Sequence, residues 1–373
     1  MLQSQAQRWS ERKASLVQSY LPLVVPSLSP HQQLVIFDGE VGAVHYGNGR
    51  LATAGAAIHY QQLASKLKAA VQIIVRTTNP GQQVEWQQAS EQQFTYWPPD
   101  QLNLNQLTNH LAANPALILL DGDFGLIPIS NGLDQLARRL ARTDLLLRFD
   151  QAALAELLAQ REQQPTQTER QLDQLFASRN WRTIVNESPS ETVLAALQTF
   201  YLQQLGELKG SRWRWVAACA IHTTWGQKLY DLLIATSDRS LVLPLNQALY
   251  QFEGALFENP EAQALLNNAG NPQQIGLFDP ALPSKSQLRR QQHEQIVAAL
   301  RNLALQQPRL WSYGDLFDTL LRQGWLGKIT EAQFQKACND LLGQKLITRL
   351  GPSSQWQATT LLRLGQAPNK PDS

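Results

Sequence analysis

Short apolar runs alternating with helical patterns constrain this chain more than any other feature. Leu34–Phe37, Val71–Val75, Ala116–Leu120 and Asp144–Phe149 read as strands. Between them, Ile58–Ala70, Leu102–Ala113 and Gly132–Arg142 carry apolar residues at helical spacing. The strand runs are near-continuously apolar and rich in branched side chains, so both of their faces must be covered. Only a parallel sheet with helices on both sides meets that demand at this spacing. A further short strand, Phe94–Trp97, is stopped by Pro98-Pro99. Residues 151–206 read as helical with a break near Asn180-Trp181, after which the pattern changes. Trp213–His222 and Lys228–Thr236, joined by Thr223-Thr224-Trp225-Gly226-Gln227, read as an antiparallel hairpin. The expected fold class is therefore α/β, a Rossmann-like sheet whose parallel strands end in an antiparallel hairpin.

At 373 residues the chain exceeds one ordinary core. Residues 1–30 read as a helical extension, with Trp9, Leu16, Val17, Tyr20 and Leu21 on one stripe that lies against the main domain and ends before Pro22. The main domain spans 31–258, with 151–206 as a helical insert. Residues 259–284, rich in Pro, Asn and Gly, read as a linker. In 285–364 a first helix carries Ile296, Leu300 and Leu303 and is stopped by Pro308, and a second, Leu316–Leu321, ends at Gly324. Thr330-Glu331-Ala332-Gln333 is a capping box that opens a third helix, running to Gly343. Leu346–Leu350 and Gln355–Thr360 flank the turn Gly351-Pro352-Ser353-Ser354, and three helices with a β-hairpin make a winged helix. Residues 365–373 read as a disordered tail. Residues 285–373 carry twelve Lys and Arg against six Asp and Glu, whereas the preceding part is net negative. A basic module on an acidic body hints at a polyanion partner.

Several classes are excluded. Cys219 and Cys338 lie far apart in apolar segments and read as buried thiols, compatible with a reducing compartment, and no Cys-x-x-Cys pair offers a zinc site. The Gln- and Ser-rich N-terminus carries no secretory pattern, and no apolar run approaches the ~20 residues of a membrane helix. A cytoplasmic protein without membrane contact is expected. Phosphate-loop, nucleophile-elbow and His-Glu-x-x-His signatures are absent. The six histidines are scattered; His45 and His59 read as surface or packing residues, and Arg138-Arg139 with Arg142 as a solvated helix face.

Chemistry concentrates at strand ends. Leu34–Phe37 runs into Asp38-Gly39-Glu40-Val41-Gly42 and then Gly47-Asn48-Gly49, a glycine-spaced turn before a helix, where backbone can approach a ligand. Nucleoside-binding sheets place an acid at the end of the second strand to hold the ribose hydroxyls. Here no Asp or Glu occurs from Val41 to Val84, and the strand ends in Arg76-Thr77. Arg76 is either an exposed strand-end arginine or a residue favouring a phosphate-bearing ligand. Asp121 and Asp123 follow the next central strand, where they either face a substrate or cap the turn after it.

These motifs, in order, resemble the three-Cys-motif partner family. Its Phe-Ala-Gly-Pro-Gly, Tyr, Gly and Gly-Ser-Pro correspond to Phe37-Asp38-Gly39-Glu40-Val41-Gly42, Tyr46-Gly47 and Gly55-Ala56-Ala57. Its Asp-Pro-Phe-Gly with Ile-Pro corresponds to Asp121-Gly122-Asp123-Phe124-Gly125 with Ile127-Pro128, and its Thr-Asp strand to Thr143-Asp144-Leu145-Leu146-Leu147-Arg148-Phe149. Leu175-Phe176 with Trp181, and Leu229-Tyr230 with Ala235-Thr236, also fit. The resemblance implies a class I methyltransferase-like domain with a C-terminal winged helix, and transfer of a methyl group from S-adenosylmethionine to a nucleic-acid or protein acceptor. It implies that Asp38, Gly39, Gly42, Tyr46 and Gly47 border the cofactor and that Asp121 and Asp123 are the catalytic residues at its reacting end. Arg148 stands where the family carries Asn, a permanent cation in place of an amide. With the missing ribose acid, that departure leaves a second expectation open: a catalytically inactive adaptor of the same fold. In the winged helix, Gln333, Gln335, Lys336 and Asn339 on the third helix, with Lys345 and Arg349 beside the wing, would contact DNA or RNA, or else a protein partner. Glu331 and Asp340 on the same helix oppose phosphate binding.

Overall fold

A computed structural model describes residues 13, 15–28, 32–40, 55–77, 81, 84, 94–97, 103–120, 126–222, 228–259, 283–306, 310–350 and 355–364. The chain forms two compact units, Met1–Ile221 with Tyr230–Leu245, and His222–Leu229 with Asn246–Ser373.

The first unit opens with a helix over 15–24 (α1). It continues through β1 (Leu34–Asp38), α2 (Gly55–Lys66), β2 (Val71–Val75), β3 (Phe94–Tyr96), α3 (Leu104–Leu111), β4 (Ala116–Leu120), α4 (Asp134–Arg138) and β5 (Thr143–Phe149). Four helices follow, α5 (Gln151–Gln160), α6 (Pro165–Phe176), α7 (Trp181–Glu187) and α8 (Val193–Glu207), and then β6 (Trp215–His222) and β7 (Lys228–Thr236). The seven strands make one Rossmann-like sheet in the order β3-β2-β1-β4-β5-β7-β6. Parallel pairing joins β3 to β2, β2 to β1, β1 to β4 and β4 to β5, while β7 runs antiparallel to β5, with Leu147 opposite Leu233. Every residue of β1 and β4 is buried, as expected of central strands covered on both faces. The reading of a parallel sheet finished by a reversed strand holds.

The helical insert is divided more finely than its sequence suggests. The break at Asn180-Trp181 is real, but the chain also turns at 161–164 and 188–192. Trp181, fully buried, starts α7 and donates its indole N–H to Asp173 Oδ1 at 2.9 Å. Arg182 stacks over the Trp181 ring at 4.5 Å and donates to Asp173 at 2.7 Å. Phe176 packs against Phe200 and Tyr201, and the Tyr201 hydroxyl donates to the Ile127 carbonyl at 2.7 Å. The insert is thus tied to the segment that follows β4.

α1 lies against this unit, burying Leu16, Val17, Tyr20, Leu21 and Val24. The helix does not end before Pro22. Pro22 sits on the exposed side and the helix continues to residue 24, because its buried stripe extends to Val24. The forfeited backbone bond falls where water can replace it. The Tyr20 hydroxyl donates to Asp144 Oδ2 at 2.7 Å, which fixes α1 to the start of β5.

The second unit contains α9 (Val242–Phe257) from Asn246 onward, α10 (Lys285–Gln306), β8 (Leu310–Ser312), α11 (Tyr313–Leu320), α12 (Glu331–Gly343), β9 (Ile347–Leu350) and β10 (Leu361–Leu364). The three strands form an antiparallel sheet in the order β8-β10-β9. Thr330 caps α12 with the reciprocal Gln333 bond that its sequence predicts. Ile296, Leu300 and Leu303 of α10 are buried, as are Phe317, Phe334 and Leu341. Phe334 packs on Phe317 at 4.7 Å and on Tyr313 at 4.9 Å. Two details differ from the sequence reading. The last strand begins at Leu361, because 355–360 turn to hydrogen-bond the start of α11 through Tyr313 N–H to Thr360 O and Gly314 N–H to Ala358 O. And Leu310–Ser312, three residues long, adds a strand that periodicity cannot reveal. Buried Asn246 donates to Ile329 O at 2.9 Å and accepts from Gly327 N–H at 2.8 Å, satisfying the loop before α12. Both cysteines are buried and free, and burial pushes the Cys338 thiol up to about 12, which suppresses thiolate chemistry at neutral pH. Among the described residues no helix is long and apolar enough to cross a membrane.

Candidate functional site at the carboxyl edge of the sheet

In a wound sheet the ligand edge is the carboxyl end of the parallel strands. β1 ends at Asp38, and the turn after it is pinned from both sides. Gly39 N–H donates to Leu119 O of β4 at 2.8 Å, and Arg76 N–H, just past β2, donates to Asp38 O at 2.9 Å. Asp38 is wholly buried and pairs with Lys13 Nζ at 2.9 Å; Lys13, 3% exposed, also donates to Glu40 O at 2.8 Å. Arg76 is 5% exposed. Its Nη1 donates to Gly39 O at 3.3 Å and lies 3.9 Å from Glu40 Oε2. Burial lowers the pKa of this guanidinium from its ordinary value, and the Glu40 carboxylate opposes that shift.

Arg76 is therefore not an exposed strand-end arginine. Its charge folds back across the mouth of the first turn, because parallel pairing of β1 and β2 sets the two strand ends side by side and Glu40 supplies the opposite charge. Two cations and two carboxylates meet at this edge: Lys13 is held by short bonds to Asp38 and to Glu40 O, Arg76 by a longer one to Gly39 O with Glu40 3.9 Å away, in a water-poor place where charge-assisted bonds are strong. A guanidinium offers donors only, so this edge has no acceptor from Arg76 for ribose hydroxyls.

At the end of β5, Arg148 pairs with Asp150 at 2.9 Å and lies over the Tyr230 ring at 5.1 Å. Burial pushes the Asp150 carboxyl up, but the Arg148 hydrogen bond and the Ala153 and Ala152 N–H groups outweigh it, holding the pKa below the usual value. Asp150 is also the N-cap of α5. Arg148 is thus engaged within its own chain. Asp121, Asp123, Gly42, Tyr46 and Gly47 lie outside the described residues, as do the turn at 351–354, most of the linker and the tail.

The opposite end of β5 is structural. Asp144, of the Thr-Asp motif, accepts from Tyr20, Arg142, Thr236 Oγ1 and Ser237 N–H. Arg142, read from sequence as solvated, is instead part of this cluster and also bonds Asp238 at 3.0 Å. Arg139 likewise turns inward, to Thr143 Oγ1 and to the Ala112 and Asn114 carbonyls.

In the second unit, three of the six candidate contact residues are committed internally. Gln333 closes the capping box and donates to Gln292 and Tyr250. Asn339 accepts from Trp356 Nε1 at 3.0 Å, and Arg349 stacks on Trp356 at 5.0 Å while donating to Gln355 O. Lys336 and Lys345 are exposed and Gln335 is half-buried; Glu331 and Asp340 of the same helix are also exposed, the latter 2.6 Å from His293.

Sequence reasoning missed Lys13 and Glu40. The signal was present for Lys13: it occupies the apolar stripe 13-16-17-20-21-24 of α1, where a lysine requires a buried partner. Among the described residues no group of side chains is arranged to hold a metal ion. No protein-family model matches the chain, and no curated protein matches it in sequence.

Proposed function

We propose that this chain is an interaction protein built on a methyltransferase-type sheet, in which the edge that would hold S-adenosylmethionine is closed by the chain's own charges. The strand order supports the fold part of this reading. The observation that carries the functional part is Arg76, buried at the end of β2, where a methyltransferase would need its ribose acid, its Nη1 donating to Gly39 O at 3.3 Å and lying 3.9 Å from Glu40. Binding the cofactor there would forfeit a charge-assisted ribose bond of ~1.5–3 kcal/mol, about 10- to 100-fold in affinity. The resemblance to the three-Cys-motif partner family is consistent with a life in complexes, and the two buried free thiols suit a cytoplasmic setting. A thermal scan tests the reading: S-adenosylmethionine at about 1 mM leaves the melting temperature unchanged. A micromolar site would instead add about 4 kcal/mol and raise it by several degrees.

A second reading, an active methyltransferase on a nucleic-acid or protein acceptor, is favoured by the same strand order and the glycine-spaced turn. In it Asp38, Gly39, Gly42, Tyr46 and Gly47 border the cofactor, and Asp121 and Asp123 its reacting end.

For the second unit, three helices with a three-stranded sheet support a winged-helix reading. The internal engagement of Gln333, Asn339 and Arg349, beside exposed Glu331 and Asp340, favours a protein rather than phosphate contact on α12. Duplex DNA and single-stranded RNA are accordingly not retarded by the full chain in a gel at low salt. A salt-sensitive shift, lost on replacing Lys336 and Lys345 with glutamate, would overturn this.

A further inference from the structure

A second concavity lies at the same end of the first unit. It has a volume of about 430 Å3 and is formed by α5, α6 and the segment 126–128 that follows β4. Leu126, Pro128, Leu157 and Leu175 make an aliphatic floor. Half-buried Gln174 stands at its wall, with the exposed side chains of Glu156, Gln160 and Gln171 at the rim. The segment 126–128 is held by the Tyr201 hydroxyl on Ile127 O, and Ser130 Oγ bonds the Gln174 carbonyl, so floor and wall are fixed in place.

Among the described residues the lining has one charge, and it is negative. The other polar groups described there are amides, whose carbonyl oxygens accept hydrogen bonds. No aromatic face on which a base or a quaternary ammonium could stack is present among the described lining residues. Aliphatic walls ending in a carboxylate and amide oxygens match one side chain well: the four-methylene stem and ammonium of lysine. The size lies within the range of sites that enclose a small group. We infer that this concavity receives a lysine side chain of an extended segment of a partner protein, its stem on Leu157 and Leu175 and its ammonium at Glu156. This deepens the adaptor reading and rests on it, since it names the partner chemistry that the module would recognise. Charge complementarity favours lysine over an acidic or neutral residue at Glu156.

The test uses the full chain with labelled Ile, Leu and Val methyl groups, observed by NMR. The probe is a short uncharged Gly/Ala-based peptide with one central lysine and blocked ends. Its titration shifts the methyl signals of Leu126, Leu157 and Leu175. Acetylating the lysine, or changing Glu156→Gln, weakens binding by about two- to fivefold, as loss of an ion pair at an exposed carboxylate requires. The variant Ala153→Trp, which fills the concavity from a half-buried position on its α5 wall, abolishes the shifts while leaving the rest of the spectrum in place. Absence of shifts at those leucines at millimolar peptide, or equal binding of the acetylated peptide, overturns the inference. So do shifts there caused by single-stranded oligonucleotides but not by the peptide. S-adenosylhomocysteine is titrated in parallel: shifts at Ile74, Val75 and Leu119, beside the Arg76 edge, would overturn the adaptor reading itself, a separate outcome read from separate signals.

Discussion

Replacing Asp144 with alanine lowers the unfolding free energy of the first unit by about 3–5 kcal/mol, the range for breaking a buried ion pair. Asp144 is buried at the start of β5 and accepts four hydrogen bonds, at 2.7 Å from Tyr20, 2.9 Å from Arg142, 2.6 Å from Thr236 and 3.3 Å from Ser237 N–H. Truncation leaves Arg142 with only its Asp238 pairing and strands the Tyr20 hydroxyl in a dry site. Burial, and then the Asp144 charge, drive the Tyr20 pKa well above its ordinary value, so that hydroxyl stays a donor at any working pH. Burial alone would lower the Arg142 pKa, but Asp144 and the other neighbours raise it, so Arg142 also stays charged. Urea unfolding measures the loss. Asp144→Asn, which keeps an acceptor but not the charge, falls between the two. A loss below about 1 kcal/mol for alanine would mean the cluster is solvated and does not hold α1 to β5.

Trp181→Ala has a comparable effect, about 3–5 kcal/mol, as expected for deleting a large buried aromatic. The ring is fully buried, with Leu172, Leu175 and Phe176 in the same core and guanidinium groups of Arg182 and Arg161 over its faces at 4.5 and 5.4 Å. Its indole N–H is bonded to Asp173. Trp181→Phe keeps most of the volume and loses that bond, so it costs clearly less than alanine. Equal midpoints for the two variants in urea would show that the hydrogen bond, not the packing, carries the residue. Because α6, whose Leu172, Leu175 and Phe176 share the Trp181 core, also walls the proposed lysine concavity, the alanine variant further weakens peptide binding.

The parts of the fold legible in sequence were those with one physical demand per residue. β1, β4 and β5 are buried on both faces, so each has a continuous apolar run, Leu34–Phe37, Ala116–Leu120 and Leu145–Leu147, that cannot be mistaken. The Thr330 capping box states its own geometry within four residues. What stayed hidden depends on partners distant in the chain. Arg76 reads as a surface residue until β1 and β2 lie side by side and Glu40 comes within reach. Arg142 and Arg139 read as a solvated helix face because their partners, Asp238 and the Ala112 and Asn114 carbonyls, lie on other elements. Gln355–Thr360 has strand-like composition, yet its Trp356 is used against Tyr313, and the backbone turns instead. Pro22 argues for a helix end only if its neighbours need no further burial, and Val24 does. Of the candidate site, the strand-end positions were legible, but the direction in which their charges point was not.

The account depends on the Arg76–Glu40 and Lys13–Asp38 pairs occupying the place where an adenosyl group would sit. Isothermal titration of the full chain with S-adenosylmethionine and S-adenosylhomocysteine addresses this directly. No binding heat with either compound up to about millimolar concentration is the expected result, a limit of about −4 kcal/mol. A one-to-one isotherm with a micromolar dissociation constant for either compound would contradict it.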